Sequence, residues 1–254
     1  MQDFVTELVQ NVSGSSGKAP AGITLAELAA FSEKDYDKDA YTVVVNGNER
    51  FEGSILYNRE KPVTITIRGG RNGGMIISTN KEKNLFVIGK KVTLILENVF
   101  LRGDPSAEKL LIDVRGTLII NEGVTIIGPK TNYWSAVGIN GNCIMNGGSI
   151  NNTCIGVAIF ATGNFTMNGG IISDNENRGV GIQGGVFEMT GGIIKDNKIR
   201  GVTFAGDNGG TFVMRGGTIS GNKSYGVFVS KLGTFRRVGG DIYGNGQPDV
   251  YNQE

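Results

Sequence analysis

The chain has 254 residues, with 25 basic and 24 acidic side chains and no histidine. A chain this close to neutral does not have the excess of basic residues expected of a nucleic-acid-binding protein. The absence of histidine excludes Ser-His-Asp and Cys-His catalysis and HExxH zinc binding. An apolar content of 39% is enough for a folded core.

The N-terminal region contains a linker followed by a short helix. Residues 1–22 are predicted to be a segment and linker, because they end in NVSGSSGKAPAG. Their start lacks the basic and long apolar regions of a secretion signal. Thr24 and Glu27 have capping-box spacing, which predicts a helix over 24–31. We expect this helix to cap the N-terminal end of a domain over 23–254. No stretch reaches 18 apolar residues, so no membrane span is expected.

From Tyr41 onwards the chain is a series of short β-branched runs broken by Gly and Asn, which predicts an all-β architecture. Similar strings recur as NFTMNGGIISDN, VFEMTGGIIKDN and TFVMRGGTISGN. The second glycine of each Gly-Gly pair recurs at steps of 22, 22, 25 and 23 residues: Gly148, Gly170, Gly192, Gly217 and Gly240. A constant period of this length indicates a stacked-repeat protein.

Each repeat contains three runs with a regular apolar pattern. In the first run Phe and Met alternate with a residue expected to be exposed, as in Phe187, Glu188 and Met189. The second run points one Ile inward, and the third points two apolar residues inward, such as Val180 and Ile182. Three strands in 22–25 residues predict one coil of a single-stranded, right-handed parallel β-helix. Neighbouring coils would then stack about 4.8 Å apart.

Asparagines are predicted to form a side-chain ladder where the second strand of each coil ends. The ladder was assigned to Asn132, Asn152, Asn175, Asn197, Asn222 and Asn245. The last coil has Arg237 where earlier coils have Met, with Asp241 and Pro248 nearby, which predicts a polar C-terminal finish. Cys143 falls in a slot that holds Phe elsewhere, so it and Cys154 are interpreted as free thiols.

The string TFxMxGGxISGN, preceded by TLAELAAF and YTVVVNG, resembles right-handed parallel β-helix repeat proteins of bacterial cell surfaces. It is similar to spirochaete repeat proteins with GGTISGN units, and this resemblance implies a pectin-lyase-like fold. The resemblance covers residues 24–245. It implies a secreted or cell-surface location and supplies no catalytic residue.

Asp174 and Asp196 occupy one slot in consecutive coils and are the candidate catalytic pair. Stacked carboxylates of this kind could serve a retaining glycosidase or bind Ca²⁺. They could equally be solvated turn residues. The GxGxxG string over 179–184 leads into a strand and not into a helix, so a dinucleotide site is not expected.

The candidate ligand-binding residues are Arg178, Arg200, Tyr225 and Phe228. The two arginines are one coil apart and lead into two aromatic residues, a combination enriched at binding hot spots. The outward slots beside them hold small residues, interpreted either as the floor of a shallow groove or as a requirement of the backbone. They are Gly138, Ala158, Gly181 and Thr203.

These observations favour a non-enzymatic cell-surface or secreted protein with a lateral face that binds carbohydrate or a protein partner. The alternative is a polysaccharide lyase or glycoside hydrolase that uses Asp174 and Asp196. No metal or other cofactor and no nucleic-acid partner are expected, and the chain is predicted to be a monomer.

Overall fold

The computed structural model describes residues 21–31, 38–56, 61–131, 134–206 and 208–253. They form a parallel β-solenoid of about nine turns, of which 3% is helical. The all-β parallel β-helix predicted from the repeats is therefore confirmed. No helix in these ranges has the length and apolar character needed to cross a membrane.

The elements in chain order are β1 (Ala21–Ile23), α1 (Leu25–Ala30), β2 (Ala40–Phe51), β3 (Ser54–Leu56), β4 (Val63–Ser78), β5 (Phe86–Ile88), β6 (Val92–Glu97), β7 (Val99–Arg102), β8 (Ile112–Val114), β9 (Thr117–Ile120), β10 (Thr125–Ile127), β11 (Ser135–Ile139), β12 (Asn142–Met145), β13 (Ser149–Asn151), β14 (Ile155–Met167), β15 (Ile171–Ser173), β16 (Arg178–Met189), β17 (Ile193–Lys195), β18 (Arg200–Phe204), β19 (Gly210–Met214), β20 (Thr218–Ser220), β21 (Val227–Val229), β22 (Gly233–Arg237), β23 (Asp241–Tyr243) and β24 (Val250–Asn252).

Each coil contributes one strand to each of three sheets. The first sheet includes β6, β9, β12, β19 and β22. The second includes β7, β10, β13, β15, β17, β20 and β23. The third includes β3, β5, β8, β11, β18, β21 and β24. The long strands β2 and β4 turn from the first sheet into the second, and β14 and β16 turn from the third into the first.

Helix α1 covers the N-terminal end of the core. Its predicted capping box is present, because the Thr24 side chain accepts from the Glu27 backbone amide at 3.1 Å and the Glu27 carboxylate accepts from Thr24 N at 2.7 Å. Leu25 and Leu28 are buried in the same apolar cluster as the coils. The strand β1 pairs with β2, so the last part of the predicted linker is already in the first sheet. Residues 1–20 lie outside the described residues.

Apolar side chains stack in columns inside the solenoid. The rings of Phe165, Phe187, Phe212 and Phe235 follow one another with centroids 5.0, 4.5 and 5.0 Å apart. The neighbouring column is fully buried and consists of Met145, Met167, Met189 and Met214. The predicted inward and outward assignments of this run are therefore confirmed.

The methionine column explains the second glycine of the last four Gly-Gly pairs. The ε-methyl carbon of Met189 lies 2.5 Å from the place where a Cβ on Gly217 would stand, and the φ angle of Gly217 is +82°. A side chain there would collide with the preceding coil and strain the backbone. The same relation holds for Met145 with Gly170, Met167 with Gly192, and Met214 with Gly240.

The asparagine ladder exists, with a different start from the one predicted. The side-chain amides of Asn175, Asn197 and Asn222 each donate to the Oδ1 atom of the next coil's asparagine, at 2.8, 2.8 and 2.9 Å, ending at Asn245. The assignment of Asn152 to this ladder is wrong. Asn152 is exposed with a φ of 51°, and the following residue, Thr153, fills the buried slot and donates its amide to Asn175. Asn132 lies outside the described residues.

The predicted polar residues do line the C-terminal end. Arg237 pairs in register with Met214 and donates from Nε to the Gly240 carbonyl at 3.1 Å. Its guanidinium also lies 3.9 Å from the Asp241 carboxylate. The end of the methionine column is thus covered by a charged side chain and not by another apolar one. Cys143 and Cys154 are both buried free thiols.

Candidate functional site

The outer surface of the third sheet brings together most of the predicted ligand-binding residues. Arg178 and Arg200 are direct partners in the pairing of β16 with β18, as expected for residues one coil apart. Arg200 extends towards the next coil, where its guanidinium carbon lies 4.0 Å from the centroid of the Phe228 ring. It also lies 5.6 Å from the centroid of Tyr225.

A third aromatic residue, Tyr251, completes this cluster and was missed in the sequence. It pairs in register with Phe228, and the two rings stack at 5.3 Å with an interplanar angle of 17°. Tyr225 contacts both, with centroids 5.7 Å from Phe228 and 5.0 Å from Tyr251. The signal available in the sequence was the position of Tyr251 directly after Val250, as Phe228 follows Val227. We call Arg200, Tyr225, Phe228 and Tyr251 the aromatic platform.

The charge of Arg200 is held against aromatic rings and not against a carboxylate. Its Nε is buried with no hydrogen-bond partner, and it forms no salt bridge with any of the described residues. Desolvation lowers the pKa of this guanidinium from its usual range. Cation–π contact with Phe228 and Tyr225 partly replaces the lost hydration, an interaction that strengthens as water is excluded.

The corner beside the platform holds a group of lysines around Glu176. Lys198 donates to both carboxylate oxygens of Glu176 at 2.9 and 2.7 Å. This hydrogen bonding, followed by the charges of Lys198, Lys130 and Lys223, lowers the pKa of the Glu176 carboxyl. Three lysines thus lie near Glu176 at the corner that leads into the third sheet, and this corner also holds Asp174 and Asp196.

The small outward residues do not form an open groove. Gly138 is buried, and a Cβ there would stand 2.5 Å from a methyl carbon of Leu110 and 3.2 Å from the ring of Phe160. A Cβ on Gly181 would stand 3.0 Å from Nε of Arg178. Neither glycine has a positive φ. At Gly138 and Gly181 neither the open groove nor a positive-φ requirement explains the small residue, because the space above each is occupied by side chains lying across the sheet.

The predicted catalytic pair occupies a position with an unusual backbone. Asp174 and Asp196 have φ angles of 56° and 54°. The equivalent residues in other coils are Asn152, Gly221 and Gly244, also at positive φ. Only Gly, Asn and Asp adopt this conformation routinely, which accounts for an acid here without catalysis.

Each of these two carboxylates has a neighbour of its own. Asp174 accepts from the Ser173 hydroxyl at 2.6 Å, and Asp196 pairs with the Lys195 ammonium at 3.0 Å. Both aspartates are exposed. Within the described ranges, no three His, Cys, Asp or Glu side chains are grouped so as to hold a metal ion. A catalytic role for the pair stays a prediction.

The fold places the chain among parallel β-solenoid repeat proteins. Comparison with family models, with curated proteins and with solved structures finds no match for the chain. Its class therefore follows from the repeat and the strand pairing. The resemblance to spirochaete surface proteins supports a proposal about location and no more.

Proposed function

We propose that this chain is a non-enzymatic, secreted or cell-surface repeat protein that binds a partner through the aromatic platform and the exposed lysines Lys130 and Lys223 beside it. The observation that carries the proposal is the Arg200–Phe228–Tyr251 stack, with Tyr225 against it, on the lateral face. Arginine and tyrosine dominate binding hot spots because they combine large contact area with directed polar groups.

The geometry favours a protein partner over a carbohydrate. The ring of Phe228 contacts the guanidinium from the coil before it and the ring of Tyr251 from the coil after it. A sugar that stacks on an aromatic residue needs a free ring face, and the faces of Phe228 are already used. Accessible surface remains on the exposed Tyr251 and the half-buried Tyr225, whose rings and hydroxyls suit the pockets and backbone carbonyls of a protein surface.

Two lysines near Glu176 support contact with acidic groups of a partner. Lys198 pairs with Glu176, while Lys130 and Lys223 are exposed and form no salt bridge with the described residues. Opposite charge on the partner would speed association and would make it sensitive to salt.

The test is a binding screen with matched tyrosine variants. Purified wild-type protein, Tyr251→Ala and Tyr243→Ala would be applied to arrays of extracellular proteins and of glycans, at low and at high salt. Tyr243 is the control because it is an exposed tyrosine of the same coil, but on the second sheet. We expect protein ligands whose binding falls at least tenfold with Tyr251→Ala and high salt and is unchanged with Tyr243→Ala. Equal binding by all three proteins would place the functional face elsewhere, and hits on glycans alone would replace the protein partner by a carbohydrate.

The enzymatic alternative needs a separate assay. The protein would be incubated with acidic and neutral polysaccharides, and new reducing ends or unsaturated products would be measured. Turnover that is lost in Asp196→Asn would overturn the non-enzymatic proposal. Turnover that persists unchanged in Asp174→Asn and Asp196→Asn would show that this pair is not catalytic.

A further inference from the structure

A concave site lies at the corner between the first and second sheets, near the N-terminal end. It is a cleft of about 290 Å³, close to the lower limit of small-molecule pockets at about 300 Å³. The cleft is separate from the aromatic platform, which is built on the third sheet in the last coils. The inference drawn from it does not rest on the proposed function.

The cleft is produced by an extended corner in β4. Val45 pairs with Gly69 before this corner, and Gly47 pairs with Gly74 after it. One residue separates the two positions in β2, whereas four residues separate them in β4. The extra residues, which include Asn72 and Gly73, form one wall. Outward side chains of successive coils form the floor, because Asn48 pairs in register with Met75 and Met75 with Phe100.

The polar groups of the cleft are uncharged. Its side chains include three exposed asparagines, Asn48, Asn72 and Asn98, and no acidic or basic residue lines it. Among the described residues, none of the three side-chain amides has a hydrogen-bond partner. Each amide can both donate and accept. Met75 and Phe100 are half-buried and provide an apolar surface beside these amides.

From this chemistry we infer that the cleft binds a neutral, polyhydroxylated ligand, of the size of one or two sugar units. A hydroxyl group donates and accepts, as an asparagine amide does, and the C–H face of a sugar suits the Phe100 ring. A carboxylate or phosphate would find no cation in the cleft. A purely apolar ligand would leave the three amides unused and dehydrated, which costs free energy.

The chain offers a matched pair of glycines for the test. Gly73 and Gly206 have φ angles of 79° and 80°, and a Cβ added to either meets no atom within 4 Å. Asparagine tolerates this conformation. Gly73→Asn therefore places a side chain in the cleft, and Gly206→Asn makes the same change at a distant corner. Asn98→Gly removes one amide while keeping the φ of 46° accessible.

The experiment is saturation-transfer NMR with glucose, N-acetylglucosamine and maltose, and with glucuronate as the charged comparison. Circular dichroism melts show whether each variant is folded. If Gly73→Asn does not fold, Asn98→Gly still tests the cleft. We expect at least one neutral sugar to bind wild type and Gly206→Asn equally, and to bind Gly73→Asn and Asn98→Gly at least tenfold more weakly.

Three results would overturn the inference. They are no transfer to any neutral sugar with the wild-type protein, binding unchanged by both Gly73→Asn and Asn98→Gly, and glucuronate binding as strong as that of glucose. A loss with Gly73→Asn that Asn98→Gly does not share would overturn the role given to the amides. Variants of the aromatic platform should leave this binding unchanged.

Discussion

Asp249 accepts from Asn245 the two hydrogen bonds that each inner ladder asparagine donates to the asparagine of the next coil. The backbone and side-chain amides of Asn245 donate to Asp249 Oδ1 at 3.3 and 2.7 Å. Asn222 makes the same two bonds to Asn245, at 3.1 and 2.9 Å. Asp249 precedes Val250 as Gly226 precedes Val227, and a Cβ on Gly226 would lie 2.7 Å from the Asn245 amide nitrogen. In the inner coil this position must be glycine, as at Gly226. In the last coil the same position holds Asp249, whose carboxylate ends the ladder.

Replacing Asp249 should weaken the last coil. Asp249→Ala removes a charged acceptor from two donors, and such hydrogen bonds contribute about 1.5–3 kcal/mol. Because Asn245 is only partly buried, we expect a loss near the lower value, seen in urea unfolding and in faster amide exchange over 241–252. Asp249→Asn keeps the acceptor oxygen and should behave like wild type. Asp241→Ala removes a more exposed carboxylate of the same coil, and an equal effect there would show that charge, and not the ladder, matters.

An inner ladder asparagine should matter far more than an exposed one. Asn197 is fully buried and accepts from both amides of Asn175, at 3.2 and 2.8 Å. Asn197→Ala leaves these donors unsatisfied in the core, where each costs about 1–3 kcal/mol. Asn168 donates to Asn146 at 3.0 Å in a similar row, but on the surface. Asn168→Ala should therefore change the unfolding free energy by less than about 0.5 kcal/mol. Similar losses in both variants would show that burial does not govern the ladder's contribution.

The methionine column allows a direct test of the core. Met189→Ala deletes a fully buried side chain and should lower the unfolding free energy by about 2–5 kcal/mol. Glu188→Ala, one residue earlier, removes an exposed ion pair with Arg215 and should cost at most about 1 kcal/mol. Urea denaturation of the two variants measures both. Two equally small losses would contradict the inward assignment of Met189.

Cys143 should make stability depend on alkaline pH. Burial raises the pKa of its thiol above the usual value of 9.0. The unfolded chain loses this proton above that pH while the folded chain keeps it, so the thiol's contribution is complete at lower pH and is lost as pH rises. The unfolding free energy of wild type should then fall more steeply than that of Cys143→Ala, by about 1.4 kcal/mol per pH unit.

Thiol labelling gives an independent check of the same residue. Cys143 and Cys154 should react with a thiol reagent only after denaturation, because both are buried. Rapid labelling of Cys143 in the native protein, or identical pH slopes for wild type and Cys143→Ala, would contradict this account.

The candidate site was only partly accessible from the sequence. The register of Arg178 with Arg200 follows from the constant repeat, so their one-coil spacing was predicted correctly. Tyr251 lies after Pro248, outside any recognisable repeat motif, and only the pairing of β21 with β24 shows its contact with Phe228. The cleft at Asn72 depends on the four-residue corner of β4, which no repeat pattern predicts.

The ladder shows a similar limit. Asn151, Asn152 and Thr153 are three consecutive polar residues, and local sequence does not indicate which one is buried. The hydrogen bond from Thr153 to Asn175 decides the register. Leu110 and Phe160 cover Gly138, and both are far from it in the chain, so local sequence does not indicate this contact either.

By itself the sequence determined the solenoid, its coil length and its buried columns. Apolar residues alternate strictly and recur at a nearly constant interval. Stacking the repeats as coils of a solenoid buries Phe187, Met189 and their equivalents in the other coils. The tertiary structure alone decided which polar and aromatic side chains meet on the outside. Those contacts run along the solenoid axis, and their alignment depends on corners of varying length. Corner residues carry no apolar period, so nothing local in the sequence specifies their register.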